Sequence, residues 1–277
     1  MGKLRVVKTG PVATIQDLGR FGFRRYGIPQ SGVMDIEMMK MANKAIGNPD
    51  NYPVVEFAMM GIKLEVLEKT SISVIGAALK VNGNSFKKKS AFLNNGDELE
   101  ISTPDNVYAY LGIGGKIEAK EDFGSFATYP PAGFGGVDGR VLEKEDIIIT
   151  DSQKHNIHEV DFPIRKQDTL EVIRILKGPE WSALKELPDS KGFQVHPSSN
   201  RMGIRLIGER LENTGKEIIS SAVIPGTIQL PPDGQPIILM NDCQTTGGYP
   251  RIGKVIEEDM GKVAQVKPGK LISLLLN

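Results

Sequence analysis

Short apolar runs recur along the chain at 54–57, 72–75, 107–113, 147–150, 170–176 and 237–240, separated by Gly, Pro, Asn and Asp. Their length and β-branched content predict strands. With 31 Gly and 17 Pro as punctuation, the spacing predicts a mostly β barrel or sandwich with few helices. Asn82-Gly83 and Asn95-Gly96 predict hairpin turns, because both dipeptides tolerate positive φ. Three segments carry a helical period instead. Asp35 is placed to cap a helix over 36–46, which Gly47-Asn48-Pro49 would end. Pro179 suits a first helical position before 181–187. Residues 251–263 space Val255, Ile256, Asp259, Met260 and Val263 on one face, with Gly253 and Gly261 weakening the pattern. The polar stretch 151–168 predicts a linker between an N-terminal β lobe, 1–150, and a C-terminal β lobe, 169–277, with strand exchange between the lobes left open.

At 277 residues the chain can bury roughly 70–75% of its unfolded surface without a metal or disulfide. Lys plus Arg and Asp plus Glu balance at 34 each, which argues against nucleic-acid or membrane-surface binding driven by net charge. The run Lys87-Lys88-Lys89 reads as a solvated strand edge. A single cysteine, Cys243, excludes an intrachain disulfide and fits a reducing cytoplasm. No signal-peptide pattern is visible, and the apolar tail 271–276 is too short to span a bilayer.

Candidate chemistry gathers in three polar loops. In 227–250 the apolar run 237–240 leads into Asp242, Gln244, Thr245, Thr246, the Gly247-Gly248 pair and Tyr249. A strand that ends in a bendable loop of varied polar groups suits a small-molecule site. The second loop, within 14–34, carries Gln16, Asp17 and Arg20, and the third, near 199–203, carries Asn200 and Arg201. Gln16, Gln229 and Gln244 offer both donor and acceptor, matching the edge of a lactam or ureido group. Arg20 or Arg201 could grip a substrate carboxylate, or Asp17 with Arg20 and Asp242 near Arg251 could be ion pairs that pin loops. Asp242 and Tyr249 are the candidates for proton transfer.

Other signals are read structurally. Met39-Lys40-Met41 resembles a biotinylation tripeptide but falls inside the predicted helix, not on a hairpin tip. There is no GxxxxGK[ST] loop, and the glycines at 133–139 do not satisfy GxGxxG. Arg140 beside them is equally suited to a carboxylate ligand or to the surface. His155 and His158 form an HxxH without further metal ligands, so no metal is expected. His196 could shuttle a proton, although a structural role is favoured. Ser198-Ser199 shows no base, which argues against a serine hydrolase. Cys243 beside Asp242 is a poor nucleophile.

Six elements in order, TIQDLGR, GIPQSGVMD, AN..IGN, SNRMG.RL.G, PGTIQLPPDGQPI and QTTGGYP, resemble the biotin-dependent carboxyltransferase family over roughly residues 9–273. That family was formerly called allophanate hydrolase subunit 2. It takes in the C subunit of ATP-dependent 5-oxoprolinase, KipA-like proteins and the carboxyltransferase domain of urea carboxylase. The resemblance implies two cyclophilin-like β-barrel subdomains. It implies a heteromeric lactam hydrolase acting with KipI-like and LamB/YcsF-like partners, its B and A subunits, with ATP bound by a partner and no covalent cofactor here. The alternatives it carries are carboxyl transfer from carboxybiotin on a separate carrier to urea or a related amide, and a KipA-like regulator of a kinase inhibitor. Its implied site joins Gln16, Asp17, Arg20, Asn200, Arg201, Gln229, Gln244, Thr245 and Thr246 as substrate contacts to Asp242 and Tyr249. Two positions depart from the pattern. Phe126 stands where relatives carry an arginine, and Arg251 stands where they often carry a lysine.

Overall fold

The computed structural model describes residues 1–105, 107–151, 157–158, 168–186, 192–212 and 218–277. Most of the expected linker 151–168, including His155, therefore lies outside the described residues. Two compact units are present. The first is Met1–Arg20 with Ser31–Arg165, and the second is Phe21–Gln30 with Lys166–Asn277. The second unit thus takes in an early segment that the sequence places in the first lobe.

In the first unit the strands are β1 (Lys3–Lys8), β2 (Val12–Gln16), β3 (Val54–Ala58), β4 (Ile62–Glu68), β5 (Thr70–Ile75), β6 (Leu79–Val81), β7 (Asn84–Phe86), β8 (Ser90–Leu93), β9 (Glu98–Ile101), β10 (Tyr108–Ile113) and β11 (Ile147–Ile149). They form a six-stranded sheet, β11-β1-β4-β9-β6-β7, and a five-stranded sheet, β2-β3-β10-β5-β8. Both sheets supply side chains to one apolar core. Leu4, Leu64, Val66 and Leu99 come from the first sheet, and Ile15, Phe57, Ile72 and Leu111 from the second. β4 shows the cause, since Ile62, Leu64 and Val66 alternate inward with more exposed Lys63 and Glu65. β5 and β10 are buried along their whole length, because helix α1 (Ile36–Lys44) packs against them. Ser73 Oγ donates to the Ala42 carbonyl at 2.6 Å. Gly112 leaves room for that approach, as a Cβ there would meet Ser73 Oγ and the Ala42 carbonyl.

α1 begins where the sequence predicts. Asp35 is extended, and its carboxylate accepts from the Met38 N–H at 3.2 Å, satisfying one orphan donor of the first turn. Met39 is buried and Lys40 is paired with Glu37 at 3.0 Å, so the tripeptide is helix packing. Asn82 (φ 51) and Gly83 (φ 77) make the two-residue turn between β6 and β7. The other dipeptide does not make a hairpin. Asn95-Gly96 links β8 of one sheet to β9 of the other, held by Gly96 N–H on the Val66 carbonyl (2.8 Å) and the Asp97 carboxylate on Asn94 N–H (2.7 Å).

In the second unit, β12 (Leu170–Lys177), β13 (Phe193–Val195), β14 (Gly203–Ile207), β16 (Thr227–Gln229), β17 (Ile237–Leu239), β19 (Arg251–Val255) and β20 (Leu271–Leu276) close into a barrel, while β15 (Ser221–Ala222) and β18 (Thr246–Gly247) form a separate ribbon. The barrel order is β12-β19-β16-β17-β14-β13-β20, and the parallel pair β12/β20 closes it. Ile173, Ile175, Val195, Ile204, Leu206, Ile228, Ile238 and Ile272 are buried in this unit.

Two helix expectations are corrected here. Residues 251–255 are strand, and only a 3-10 turn, Glu257–Asp259, and helix α2 (Met260–Gln265) follow. Gly253 has the Leu176 carbonyl 3.1 Å from where a Cβ would sit, so the glycine that weakened the helical pattern is needed for close strand packing. The segment after Pro179 shrinks to the 3-10 turn Trp181–Ala183, with Pro179 outside it, and Leu187 lies outside the described residues.

Candidate functional site

In the first unit the TIQDLGR loop is built as a pin. Asp17 Oδ1 accepts from Gly19 N–H at 2.8 Å and from Ser125 Oγ at 2.7 Å, and Oδ2 accepts from Phe126 N–H at 2.7 Å. Arg20 is fully buried and donates to the main-chain carbonyls of Ala127 and Asp122, with its guanidinium carbon 5.7 Å from the centre of the Phe134 ring. Asp17's donors are thus loop groups, and the expected Asp17–Arg20 ion pair is replaced by bonds from each residue to the 122–127 loop. Gln16, also fully buried, donates from Nε2 to Thr14 Oγ1 and to the Thr128 carbonyl, both at 3.0 Å. Its Oε1 has no hydrogen-bond partner. These three side chains hold the 122–128 loop onto the end of β2. Arg140, read as a possible ligand for a carboxylate, is bound bidentately to Asp146 at 2.7 and 2.8 Å. That pairing raises the guanidinium's pKa and holds Asp146 below the usual carboxylate range against its partial burial. Phe126, the departure from the family pattern, lies 4.3 Å beneath the Lys116 ammonium, so a cation still covers this position.

The second unit presents a different kind of loop. Asp242 and Arg201 form a fork-to-fork pair, Nε–Oδ2 2.8 Å and Nη2–Oδ1 3.0 Å, with side chains only 8% and 13% exposed. The turn carrying Arg201 is stitched to the same loop by Met240 N–H on the Met202 carbonyl (3.0 Å) and Asp242 N–H on the Arg201 carbonyl (2.9 Å). The expected partner of Asp242, Arg251, is elsewhere. It pairs with Glu180 at 2.8 and 2.7 Å and donates to the Ala222 carbonyl at 2.9 Å. Arg251 holds Glu180 below the usual carboxylate range, so this departure from the family lysine is a structural strut.

Beyond Asp242 the loop turns outward. Gln229, 2% exposed, accepts from Gln244 Nε2 at 3.3 Å, beneath Gly247, where any Cβ would collide with the Gln229 amide. Gln244, Thr246 and Tyr249 are exposed and Thr245 is half-buried. The Thr245 carbonyl accepts from Val223 N–H at 3.0 Å, and Thr246 sits in the β15/β18 ribbon.

Arg24, which local spacing does not single out, clamps this loop. It sits on the 3-10 turn Arg24–Tyr26 and donates from Nη2 to the carbonyls of Val223 (2.5 Å) and Gln244 (2.8 Å). Its signal in the sequence is faint, since nothing nearby marks a contact 220 residues away. Cys243 is fully buried beside it. Burial, more than Asp242, pushes the thiol up, and the Arg24 guanidinium pulls the other way. His196 does have a serine neighbour, because Nδ1 lies 2.5 Å from Ser198 Oγ and accepts from Ser198 N–H at 3.1 Å. This corrects the expectation that Ser198 has no basic group nearby. The contact is a local turn, two residues apart.

Chemically, the second unit offers an exposed amide, a hydroxyl and a phenol on a loop held by a buried ion pair and an arginine clamp. Such a loop can present donors and acceptors to an amide without reorganising. The Asp242 carboxylate, with both oxygens on one guanidinium, is placed to orient that loop.

The sequence matches the family described as carboxyltransferase domain, subdomain A and B, over residues 26–275, and the chain belongs to that family. It is 33% identical to the C subunit of the Escherichia coli 5-oxoprolinase over 97% of this chain and 89% of that protein. It is 36% identical to the Haemophilus influenzae protein of the same name over 94% and 86%. Its fold is similar to the urea carboxylase of Kluyveromyces lactis, with a TM-score of 0.92 and 26% identity, over 98% of this chain but 27% of that one. Among the described residues no helix is long and apolar enough to cross a membrane.

Proposed function

We propose that this chain is the C subunit of an ATP-dependent 5-oxoprolinase, part of a complex that opens the 5-oxoproline lactam to glutamate. One observation carries the reading. The similarity to two proteins named as the C subunit of 5-oxoprolinase runs through nearly the whole of this chain and most of theirs, at 33% and 36% identity. Opening a lactam to an amino acid requires the amide held at both edges, its carbonyl made more electrophilic, water to attack the carbonyl carbon and form the new C–O bond, and a proton delivered to the departing nitrogen. In this proposal Gln244, backed by Gln229, meets the lactam edge. Thr245 and Thr246 add hydrogen bonds, Tyr249 supplies the proton, and the Arg201–Asp242 pair keeps the loop in place. KipI-like and LamB/YcsF-like partners complete the complex as its B and A subunits, ATP is bound by a partner, and the assembly works in the cytoplasm.

Reconstitution tests it. The three purified subunits should release glutamate from 5-oxoproline only with ATP present, and omission of this chain should abolish release. Glutamate formation that is unchanged without this chain would end the proposal.

The fold's likeness to urea carboxylase supports a second reading, carboxyl transfer from carboxybiotin on a separate carrier to urea or a similar amide. Biotin-dependent carboxylation of urea that requires this chain would favour it, and avidin would block that activity while leaving a lactam hydrolase untouched.

A further inference from the structure

On β14, Ile204 and Leu206 point into the barrel, while Arg205 and Ile207 point outward. Arg205 faces an open cleft of about 550 Å³ on the outer face of the barrel. Three observations define what this cleft can hold.

The first is the state of the Arg205 guanidinium. Among the described residues, Arg5, Arg140, Arg174, Arg201 and Arg251 are bound to carboxylates. Arg20, Arg24 and Arg210 donate to main-chain carbonyls, and Arg25 lies over the Tyr26 ring. Arg205 bonds through its main chain, to Ser199 Oγ (3.1 Å) and His196 N–H (2.9 Å). Among the described residues its guanidinium fork takes neither a carboxylate nor a carbonyl. A planar fork open to a cleft is suited to bidentate capture of a carboxylate.

The second is the row beside it. His196 and Arg205 are directly opposed across the ladder, and Arg205 opposes Ile237 on its other side, so the three side chains share one face. Because His196 Nδ1 accepts from Ser198 N–H, the proton of the neutral ring is on Nε2, and the imidazole offers a second donor near the guanidinium. Asn200 also lines the cleft. Its Oδ1 accepts from Met202 N–H at 2.8 Å, which leaves its amide N–H groups for a ligand.

The third is a group of opposite character in the same cleft. Asp233 lines it and uses Oδ1 to accept from Gln235 N–H at 3.0 Å. Its other oxygen can accept from a ligand N–H. Ile207, Pro236 and Ile237 supply an apolar wall for a short hydrocarbon body.

We infer that the Arg205 cleft is a binding site for a small carboxylic acid that also carries an N–H, such as a cyclic amide acid or an amino acid. The inference goes beyond the proposed function, because none of Gln244, Thr245, Thr246 and Tyr249 lines the cleft; it rests on that function only in the choice of ligand, since 5-oxoproline has this pair of groups. Arg20 and Arg201, the arginines that the sequence offers for a substrate carboxylate, donate to groups within the fold.

The test is calorimetric titration of the full chain with 5-oxoproline, with glutamate and with 2-pyrrolidinone, which keeps the lactam but lacks the carboxylate. Arg205→Gln and Arg205→Lys are compared with wild type, and an unchanged Tm verifies that each is folded. The expected result is binding of at least one of the two acids but not of 2-pyrrolidinone. Affinity should fall at least tenfold in Arg205→Gln and less in Arg205→Lys. Equal binding by wild type and Arg205→Gln, or no binding of either acid, overturns the cleft. Arg205-dependent binding of glutamate in a chain whose reconstituted complex leaves 5-oxoproline unopened upholds the cleft and removes the lactam hydrolase reading. An active complex with unchanged acid binding in Arg205→Gln does the reverse.

Discussion

Two loops of this protein, each built around an aspartate and an arginine, use the same residue types to opposite ends. In the first unit, Asp17, Arg20 and Gln16 are at most 7% exposed, and each bonds to the 122–128 loop. In the second, Asp242 is locked onto Arg201, and that lock frees Gln244, Thr246 and Tyr249 to face outward. Polar side chains that satisfy buried main-chain groups stabilise a fold. Polar side chains held at the surface by someone else's bonds are available to a ligand. The difference lies in what lies behind each loop, not in its composition.

The largest expected effect tests the pin. Asp17→Ala leaves Gly19 N–H, Ser125 Oγ and Phe126 N–H without their acceptor and should cost about 3–4 kcal/mol. Gln244→Ala on the outward loop should change stability by less than about 0.5 kcal/mol. Urea denaturation of both variants reads the contrast, and equal losses would erase it.

The lock comes next. Arg201→Ala strands a nearly buried carboxylate and should cost about 3 kcal/mol. In a double-mutant cycle with Asp242→Ala, most of that loss should already be present in the Asp242 variant. Additive losses would mean the two residues act separately.

A third prediction concerns Asp259, which α2 and β12 bury completely. Burial, the largest influence on it, favours the neutral acid, but hydrogen bonds from Arg174 and Lys262 outweigh this and hold the carboxylate well below its ordinary range. Its stabilisation is therefore full above the unfolded pKa near 3.9 and is lost as pH falls from there toward the depressed native value. Asp259→Asn should lower stability at pH 7 by about 2 kcal/mol, discounted because Arg174 is 40% exposed. Between pH 5 and 2, as the wild type loses this contribution, the variant should lose less stability. Parallel acid-unfolding curves would contradict the assignment.

The smallest loss among the buried or strained positions is at the β6/β7 turn. Gly83 has φ 77 and open space where a Cβ would sit. Gly83→Ala should thus cost only backbone strain, about 1 kcal/mol, and thermal unfolding would detect it.

These contrasts show which parts of the molecule could be read from the chain. The six apolar runs are all strands, because each has the length and branching a pleated, half-buried surface favours. Asp35 marked its helix because a cap acts within one turn. Residues 251–263 misled because the spacing of Val255, Asp259 and Val263 spans a strand end, a 3-10 turn and a short helix, each too brief to show its own period. Side-chain partners were hardest to foresee. Asp242 finds Arg201 41 positions away and Arg251 finds Glu180 71 away, and neither separation leaves a local pattern. Arg205 is the instructive omission, because the alternation Ile204-Arg205-Leu206-Ile207 already placed it on the outer face of its strand.

We propose that the outward loop meets the substrate and that the buried one serves the fold alone. The most direct test is kcat/KM for 5-oxoproline, per folded molecule, in the reconstituted complex with Gln244→Ala and Asp17→Asn. The prediction is a fall of at least tenfold for Gln244→Ala and a value within about twofold of wild type for folded Asp17→Asn, a tenfold change corresponding to about 1.4 kcal/mol of transition-state stabilisation. Full activity in Gln244→Ala together with a severe loss in folded Asp17→Asn would contradict it.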